Sequence, residues 1–478
     1  MATTLAAERL EQQRWKLRPQ WAQSKLHDGL VEREFLSPEQ QRATEAHALR
    51  RVIAFAVAQV PHYQALFTRL GLTPESIRGV DDLPALPVLK RVDVQEHETA
   101  LRARSLPKGH RLGRVTKTSG STGQPVEVLH TAQSLGMFEV LKQRQMRWAR
   151  FDPAGRIGLL RLPRALPKRP DGQPLREGET GRRDSWAAQV GPYFETGPLF
   201  ALSMLSSLES QMDWLEEQRL DYLVGQAAEL EHLALGLQDR SAPRSLKGVL
   251  SVAMSLTPEM QRRIERSFNA FVHENYGFNE VGIVATRCRE GGRYHVNSEH
   301  CLVEIVDGDG QPCRAGERGH LVATALNNPA MPLIRYDSGD IAEAVEGPCP
   351  CGRSLPAFGA LHGRYRRNVH LPAGTLEHWT TLRLALADLP EDLSRPLRQY
   401  QAHQSRDGRF ELRLVTAGPM PAAFFERIEA DWAAGCAPAP PPLTIRVVDE
   451  IPRPPGGKFR DFTSDFELAG EAAGRDRN

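Results

Sequence analysis

The chain has 478 residues, more than one hydrophobic core usually holds, so two or more domains are expected. Hydrophobic residues make up 40% and charged residues 25%, which is typical of a globular protein in water. A net charge of +2 without a dominant basic tract argues against a nucleic-acid partner. No apolar run approaches the ~20 residues of a membrane span. The charged N-terminal segment lacks the apolar stretch of a secretory signal, so a cytoplasmic location is expected.

The first part of the chain shows helical patterning. Residues 1–35 are polar and are expected to be helical. Ser37, Pro38 and Gln40 match a capping box with proline at the first helical position. This pattern predicts a helix that runs to about Val60, where the apolar positions stop recurring at helical spacing.

A loop rich in serine, threonine and glycine, Thr118–Gly123, follows a strand predicted at 114–116. Glycine lets backbone N–H groups approach an anion closely, and the hydroxyls can donate hydrogen bonds to phosphate. The same composition is also typical of a plain flexible loop. Because the Walker pattern GxxxxGK[ST] is absent, this stretch alone leaves both interpretations open.

Three different patterns of predicted secondary structure along the chain indicate the fold class. Strands and helices alternate over residues 206–274, which indicates a parallel α/β body. Antiparallel hairpins follow from residue 301, and Asp307–Gly310 is predicted to be a turn because it lacks the spacing of a calcium loop. We therefore predict an α/β protein with a large multi-layer body (1–362), parallel-rich sheets and a β-barrel-like part. A small α+β domain (363–478) follows it.

Four sequence stretches, in chain order, resemble the motifs of adenylate-forming enzymes and most closely those of the phenylacetate–CoA ligase family. They are TSGSTGQP at 118–125, NYGFNE at 275–280, YDSGD at 336–340, and HGRYRRNV at 362–369 taken with PRPPGGKFR at 452–460. The resemblance covers roughly residues 40–460. It implies that ATP activates a carboxylic acid as acyl-AMP and that the acyl group then passes to a thiol or an amine.

The resemblance implies a role for each motif residue. Glu280 would bind Mg²⁺ and take part in catalysis, since a hard cation prefers carboxylate oxygen. Tyr276 and Gly277 would lie beside the adenine, and Asp340 would accept hydrogen bonds from the ribose hydroxyls. Arg364 would contact ribose or phosphate. The residues that hold the β- and γ-phosphates of ATP would be Thr118, Ser119, Gly120, Ser121, Thr122 and Gly123.

Lys458 would be the catalytic lysine of such an enzyme. Gly456 and Gly457 give its loop the freedom to enter a site, where the ammonium would stabilise charge that develops during adenylation. In this superfamily the small domain is a mobile lid that rotates between the two half-reactions, about a hinge near Arg366 in this chain.

Several positions depart from the family pattern. Gln124 replaces a lysine that is often found beside the loop, Met254 stands where a carboxylate is usual, and Arg366-Arg367 replace an acidic hinge pair. The acceptor is therefore CoA by family default or, alternatively, an amine or a carrier-protein thiol. A paralogue that binds nucleotide or acyl ligand without turnover is the third interpretation. The basic stretch 164–183 matches no family feature and is expected to be an exposed excursion.

The expected substrate is an aryl or aromatic-like acid. Its pocket would be lined by residues around 193–205 and 251–281. Tyr193, Phe194 and Phe278 face either the acid or the core, and the sequence does not decide between these two environments. The resemblance also implies a possible homodimer, since members of this family often form one.

Cysteine and histidine cluster near the middle of the chain. Cys288, His295, Cys349 and Cys351 form a Cys₃His set, which suits structural zinc in a tetrahedral shell, and some ligases of this family carry a similar site. The alternative is reduced cysteines packed as small hydrophobic groups. Rival ligands are His300, Cys301 and Cys313.

Overall fold

The structure is a computed structural model, and it confirms the predicted α/β class. A 12-stranded sheet forms the body, a two-stranded hairpin lies apart from it, and a smaller four-stranded sheet lies near the C-terminus. The residues that the structure describes are 2–21, 29–117, 126–186, 190–237, 246–252, 256, 258–364, 382, 385–386, 389–451 and 462–465.

The elements within the described residues follow in chain order. The α-helices are α1 (Ala2–Gln13), α2 (Leu30–Arg33), α3 (Pro38–Gln59), α4 (Pro61–Leu70), α5 (Arg91–Glu96), α6 (Glu98–Leu101), α7 (Ala132–Trp148), α8 (Leu208–Gln218), α9 (Ala227–Gly236), α10 (Pro258–Phe268), α11 (Glu391–Ser394) and α12 (Ala422–Gly435). The 3₁₀ helices are Pro19–Trp21, Pro74–Ser76, Val80–Ala85 and Pro163–Ala165. The strands are β1 (Leu112–Lys117), β2 (Glu127–Thr131), β3 (Ile157–Arg161), β4 (Gly181–Arg183), β5 (Leu199–Ser203), β6 (Tyr222–Gly225), β7 (Gly248–Ser251), β8 (Phe271–Phe278), β9 (Gly282–Arg287), β10 (Tyr294–Val296), β11 (Cys301–Val306), β12 (Arg318–Ala325), β13 (Tyr336–Ala344), β14 (Ala357–Arg364), β15 (Leu397–Gln404), β16 (Phe410–Thr416), β17 (Leu443–Val447) and β18 (Phe462–Ser464).

Local sequence signals explain where several elements begin and what they bury. The Ser37 hydroxyl accepts from the backbone N–H of Gln40 (3.1 Å), and the Gln40 side chain accepts from the backbone N–H of Ser37 (2.9 Å), so the predicted capping box starts α3. Strands β6 and β7 are buried throughout, as expected for parallel strands that are covered on both faces. The predicted turn at 307–310 is confirmed, because Asp307 Oδ1 accepts from the backbone N–H groups of Asp309 and Gln311.

The large sheet has a parallel half and an antiparallel half that meet at β8. Its strand order is β11-β12-β13-β14-β10-β9-β8-β7-β6-β3-β5-β4. Strands β5, β3, β6, β7 and β8 run parallel, whereas β8 pairs antiparallel with β9. The NYGFNE motif therefore begins in the strand where the two halves join and ends in the turn after it.

The basic stretch 164–183 is more integrated than the sequence suggests. It ends in β4, an edge strand that pairs antiparallel with β5. Leu166 and Leu175 are buried in the core against Trp186. The stretch is thus exposed at its charged side chains but anchored to the sheet, which corrects the expectation of a simple excursion.

The C-terminal sheet has its own hydrophobic core. Its order is β17-β16-β15-β18, and its buried side chains include Phe410, Trp432 and Phe462. The predicted domain boundary at 362/363 stays a prediction. Among the described residues, no helix combines the length and the apolar character that a membrane crossing needs.

Candidate active site

The Ser/Thr/Gly loop joins strands β1 and β2, which pair antiparallel. Its predicted phosphate-binding residues, Thr118–Gly123, lie outside the described residues. At the base of the loop, the Thr116 hydroxyl donates to the backbone oxygen of Asn279 (3.3 Å) and lies 2.9 Å from Nε2 of His130. The fold therefore places the base of the loop next to the turn that carries Glu280.

Glu280 lies in the turn between β8 and β9, and its side chain is 7% exposed. Its Oε1 atom accepts hydrogen bonds from the Tyr336 hydroxyl (2.8 Å) and from Nη1 of Arg91 (3.3 Å). Arg91 begins α5 and was not identified from the sequence, because a single arginine outside the motifs carries no signal. Its charge compensates a carboxylate that would otherwise be buried alone.

Asp340 lies on β13, directly opposite Arg364 of β14 in the sheet register. Its Oδ2 atom accepts from the Tyr276 hydroxyl (2.7 Å), and both residues are buried. Its backbone N–H donates to the Ser338 hydroxyl (3.1 Å). The preceding Gly339 has φ +80°, a conformation that favours glycine. Asp340 is therefore held in one orientation, as recognition of two hydroxyl groups requires.

Two tyrosine–carboxylate pairs cross between β8 and β13. Tyr276 of β8 donates to Asp340 of β13, while Tyr336 of β13 donates to Glu280 in the turn after β8. Three other strands separate β8 from β13 in the sheet order. This part of the sheet must curve back on itself, as the predicted β-barrel-like part requires.

Gly277 is needed for close backbone approach. A Cβ atom at this position would lie 2.2 Å from the backbone oxygen of Gly282. The tight β8–β9 turn that carries Glu280 thus depends on glycine. The Tyr276 ring beside it packs edge-to-face on Phe358, with 5.8 Å between ring centroids.

His130 is a buried group of this region that the sequence analysis did not single out. Burial, together with the nearby His300 and Arg114, lowers the pKa of His130 to about 4. The imidazole is therefore neutral at physiological pH. A neutral ring here adds no charge beside a loop that would hold phosphates.

The remaining predicted residues of the nucleotide site cannot be placed. Lys458 lies outside the described residues, as do Gln124, Met254 and the hinge pair Arg366-Arg367. Their roles stay predictions.

The four predicted cysteine and histidine ligands come together. One ligand atom from each of Cys288, His295, Cys349 and Cys351 lies within 4.8 Å of all the others, and all four residues are buried. Sγ of Cys288 lies 3.4 Å from Sγ of Cys349, and Sγ of Cys351 lies 3.3 Å from Nε2 of His295. The Nδ1 atom of His295 lies 3.0 Å from the backbone oxygen of Leu355, which leaves Nε2 facing the thiols.

Neighbouring residues shape this cluster and exclude the rivals. A Cβ atom at Gly291 would lie 2.4 Å from Sγ of Cys349, so glycine leaves the space that the thiol occupies. Nε2 of His300 instead lies 2.6 Å from the backbone oxygen of Val281. Cys301 and Cys313 contact other backbone oxygens, those of Val284 and Arg318. The donor set is the Cys₃His set that tetrahedral zinc takes, so the residues fit this metal.

A network of buried charges lies beside the cluster and was missed by sequence reasoning. Glu34 is fully buried, and burial would raise its pKa, but Arg147, Arg144 and Arg353 together lower it. Because residues 1–35 are mostly polar, the sequence predicts a solvent-exposed helix there and gives no sign that its glutamates form buried ion pairs. The charged members of the network are Glu8, Glu34, Glu299, Arg144, Arg147 and Arg353, with the partly exposed Arg150 at its rim.

Curated relatives cover most of the chain, although no family model matches it. It is 26% identical over 418 residues to a phenylacetate-coenzyme A ligase of Thermus thermophilus, across 83% of this chain and 85% of that protein. It is 24% identical over 353 residues to a phenylacetate-coenzyme A ligase of Escherichia coli, across 69% and 72%. The chain is thus similar to phenylacetate–CoA ligases over most of its length. The predicted resemblance is confirmed.

Solved structures place this ligase relative in the same fold. A 2-hydroxyisobutyryl-CoA ligase in complex with R3-HIB-AMP matches with a TM-score of 0.69 at 18% identity, across 93% of this chain and 94% of that one. An anthranilate CoA ligase in complex with anthranoyl-AMP matches with a TM-score of 0.52 at 14% identity, across 92% and 82%. At these identities the likeness concerns the fold.

The aromatic residues considered for the acid pocket of this ligase relative have different environments. Phe194 is fully buried and packs edge-to-face on Trp15, with 5.9 Å between ring centroids, so it belongs to the core. Phe278 is also buried and packs near Tyr276 and Tyr336. Tyr193 is only partly buried.

Proposed function

We propose that this chain is an AMP-forming acid–thiol ligase that activates a carboxylic acid with ATP and transfers the acyl group to CoA. The crossed pairs Tyr276–Asp340 and Tyr336–Glu280 carry the proposal, because they hold two carboxylates beside the base of the Ser/Thr/Gly loop. Similarity over most of the chain to phenylacetate-coenzyme A ligases supports it.

In the first half-reaction, a carboxylate oxygen of the acid attacks the α-phosphorus of ATP, and the bond to pyrophosphate breaks. Asp340 would accept from the ribose hydroxyls. Glu280 offers the hard carboxylate oxygen that Mg²⁺ prefers, and the cation would neutralise phosphate charge. Lys458 would stabilise charge that develops between the acid and the α-phosphate.

In the second half-reaction, the thiol sulfur of CoA attacks the acyl carbon, AMP leaves, and the thiol proton passes to solvent. Rotation of the C-terminal domain would withdraw Lys458 and open the acyl-adenylate to the thiol. The relatives named above are all CoA ligases, so we favour CoA over an amine or a carrier-protein thiol.

The acid that we propose is aryl or aromatic-like. The curated relatives are named for phenylacetate, and Tyr193 offers a partly exposed ring at the predicted pocket.

We also propose that Cys288, His295, Cys349 and Cys351 hold a structural zinc ion. The closed set of four protein ligands supports a structural site rather than a catalytic one, which would keep an open position. Bound zinc would fasten the 288–295 hairpin to the 349–351 loop.

Acid-dependent pyrophosphate release with ATP and Mg²⁺ tests the proposed activity. We expect release with at least one member of an aryl and aliphatic acid panel, its loss in Lys458→Ala, and AMP and thioester formation when CoA is added. Glu411→Gln is the control, since Glu411 pairs with Arg413 and Arg446 on the C-terminal sheet. Release that CoA leaves unchanged would overturn the CoA assignment. No release with any acid, despite ATP binding, would overturn the ligase itself.

A further inference from the structure

Arg353 links the cysteine cluster to the buried charge network. It follows Cys351 by two residues, and its side chain is only 4% exposed. Its guanidinium lies close enough to the Cys351 thiol for the two groups to interact electrostatically. The same group donates from Nη2 to Glu8 (2.8 Å) and from Nε to Glu34 (3.3 Å), so two carboxylates from the N-terminal segment hold it beside the thiol.

Trp148 provides a second connection between the network and the cluster. The Arg353 guanidinium lies 4.1 Å from the centroid of the Trp148 ring, and this ring packs edge-to-face on His295 at 5.9 Å. The indole N–H donates to Oε2 of Glu34 (2.9 Å). Two of the four proposed metal ligands, Cys351 and His295, are thus backed by residues that contact Glu34.

The charges of the network balance without the cluster. Three buried glutamates face three buried arginines, and in such an arrangement removal of one member leaves an uncompensated charge. A Cys₃His site binds zinc through deprotonated thiols, so three thiolates around Zn²⁺ carry an excess of negative charge. A guanidinium held beside one of these thiolates stabilises that charge.

The network also reaches the N-terminal segment. Glu8 lies on α1, and Glu34 directly follows α2. The backbone N–H of Ser354 donates to the backbone oxygen of Glu34 (2.8 Å), so the loop after Cys351 is bonded to the N-terminal segment by main chain as well as by side chains.

We propose that Arg353 is a positioning residue for the metal centre, and that Glu8 and Glu34 couple the docking of α1 and residues 30–34 to the presence of the metal. This inference rests on the proposed zinc centre. Arginine is needed because its planar fork donates to two carboxylates while its charge stays beside the thiol, whereas the ammonium of lysine cannot reproduce this geometry.

Zinc release to an excess of a chromogenic chelator tests the role of Arg353 in the zinc-loaded full-length protein. We expect Arg353→Lys to release zinc about 10- to 100-fold faster than the wild type, the range found when outer partners of metal ligands are lost. Arg335→Lys is the matched control, because Arg335 is equally buried and paired with Glu304 but has no contact with the cluster among those described. Equal release rates for Arg353→Lys, the control and the wild type would overturn the inference and leave the zinc centre standing. A wild-type protein that binds no zinc would instead overturn the centre.

Hydrogen exchange of the wild type with and without zinc tests the coupling without any variant. We expect backbone amides of α1 and of residues 30–34 to exchange faster after zinc removal. Those of α4 should stay unchanged, because its buried side chains pack in a hydrophobic core that does not include the four proposed zinc ligands. Unchanged exchange in α1 would overturn the coupling. This measurement also decides the case in which Arg353→Lys fails to fold.

Discussion

The proposed nucleotide site, here called the nucleotide side (Tyr276, Glu280, Tyr336 and Asp340), and the region around the cysteine cluster stabilise buried carboxylates with different partners. At the nucleotide side, Asp340 accepts from one tyrosine hydroxyl, and Glu280 accepts from a tyrosine and from Arg91. Beside the cluster, Glu34 forms ion pairs with three arginines and accepts a hydrogen bond from the Trp148 indole. Both regions bury carboxylates, and among the contacts given above three guanidinium groups surround Glu34.

This difference separates a site for a transient ligand from a permanent structure. A carboxylate that is oriented by a neutral hydroxyl keeps its charge and its acceptor capacity for an incoming group. A carboxylate surrounded by arginines is committed to the fold, because loss of any partner leaves a buried charge. Substitutions should therefore affect catalysis in the first region and stability in the second.

Glu34→Gln should give the largest effect. It leaves Arg144, Arg147 and Arg353 short of one negative charge in a fully buried setting. Breaking a buried pair in this way costs about 3–5 kcal/mol. Urea unfolding should show this loss in the free energy of unfolding. Glu32→Gln, on the exposed face of the same segment, is the control and should change it by less than about 1 kcal/mol. If Glu34→Gln lowered the free energy of unfolding by no more than Glu32→Gln does, the proposed contrast between the two regions would be wrong.

Asp340→Asn should have the largest effect on activity. The substitution keeps the shape of the side chain but removes the charge that would strengthen the two proposed hydrogen bonds to ribose. Such bonds contribute about 1.5–3 kcal/mol each, so we expect kcat/KM for ATP to fall by about 100-fold or more. Initial rates of pyrophosphate release at varied ATP check this. Glu411→Gln should retain the wild-type rate. A fall below tenfold for Asp340→Asn would show that this carboxylate does not bind the nucleotide.

The two regions also differ in how far the sequence predicts them. The Cys₃His set was predicted from residue type and short spacing, and Glu280 and Asp340 from their motifs. The hydrogen bonds that Tyr276 and Tyr336 donate to these two carboxylates were not predicted. Strands β3, β6 and β7 were predicted from continuous apolar runs, which local periodicity reveals.

The buried charges could not be predicted in the same way. Glu34 and Arg147 are 113 residues apart, and a charged residue in a polar segment reads as solvent-exposed until its distant partner is known. The environment of Phe194 was left open for a related reason, since an aromatic residue looks alike in a pocket and in a core. Tertiary pairing decides both cases.

The neutral state of the His130 imidazole can be tested through pH. His130 has a folded pKa of about 4, below its unfolded value near 6.5. Between these values the unfolded chain binds the extra proton, so stability falls as the pH is lowered from 6.5 to 4. We expect His130 to account for about 2 kcal/mol of the stability lost between pH 7 and pH 5.

His130→Gln should therefore reduce the difference in unfolding free energy between pH 7 and pH 5. Urea unfolding at both pH values measures it, and His47→Gln on the exposed face of α3 serves as the control. If His130→Gln and the wild type lose stability equally, the imidazole is not held neutral by its surroundings.

The smallest effect, and the sharpest test of the contrast, should come from Tyr276→Phe. The Tyr276 hydroxyl donates a hydrogen bond of 2.7 Å to Asp340 and thereby orients its carboxylate. A hydrogen bond to a carboxylate contributes about 1.5–3 kcal/mol. Only part of this energy would affect nucleotide binding, so KM for ATP should rise about five- to tenfold with the fold intact. Tyr294→Phe is a matched control, because Tyr294 donates to the buried carboxyl of Glu274 (2.5 Å) away from the Asp340 pair. If both variants raised KM alike, orientation of Asp340 would not be the cause. The hydrogen bonds to Asp340 and to Glu274 would then both act through the stability of the fold. If only Tyr276→Phe raised it, a single neutral hydroxyl would be the element that prepares Asp340 for the nucleotide.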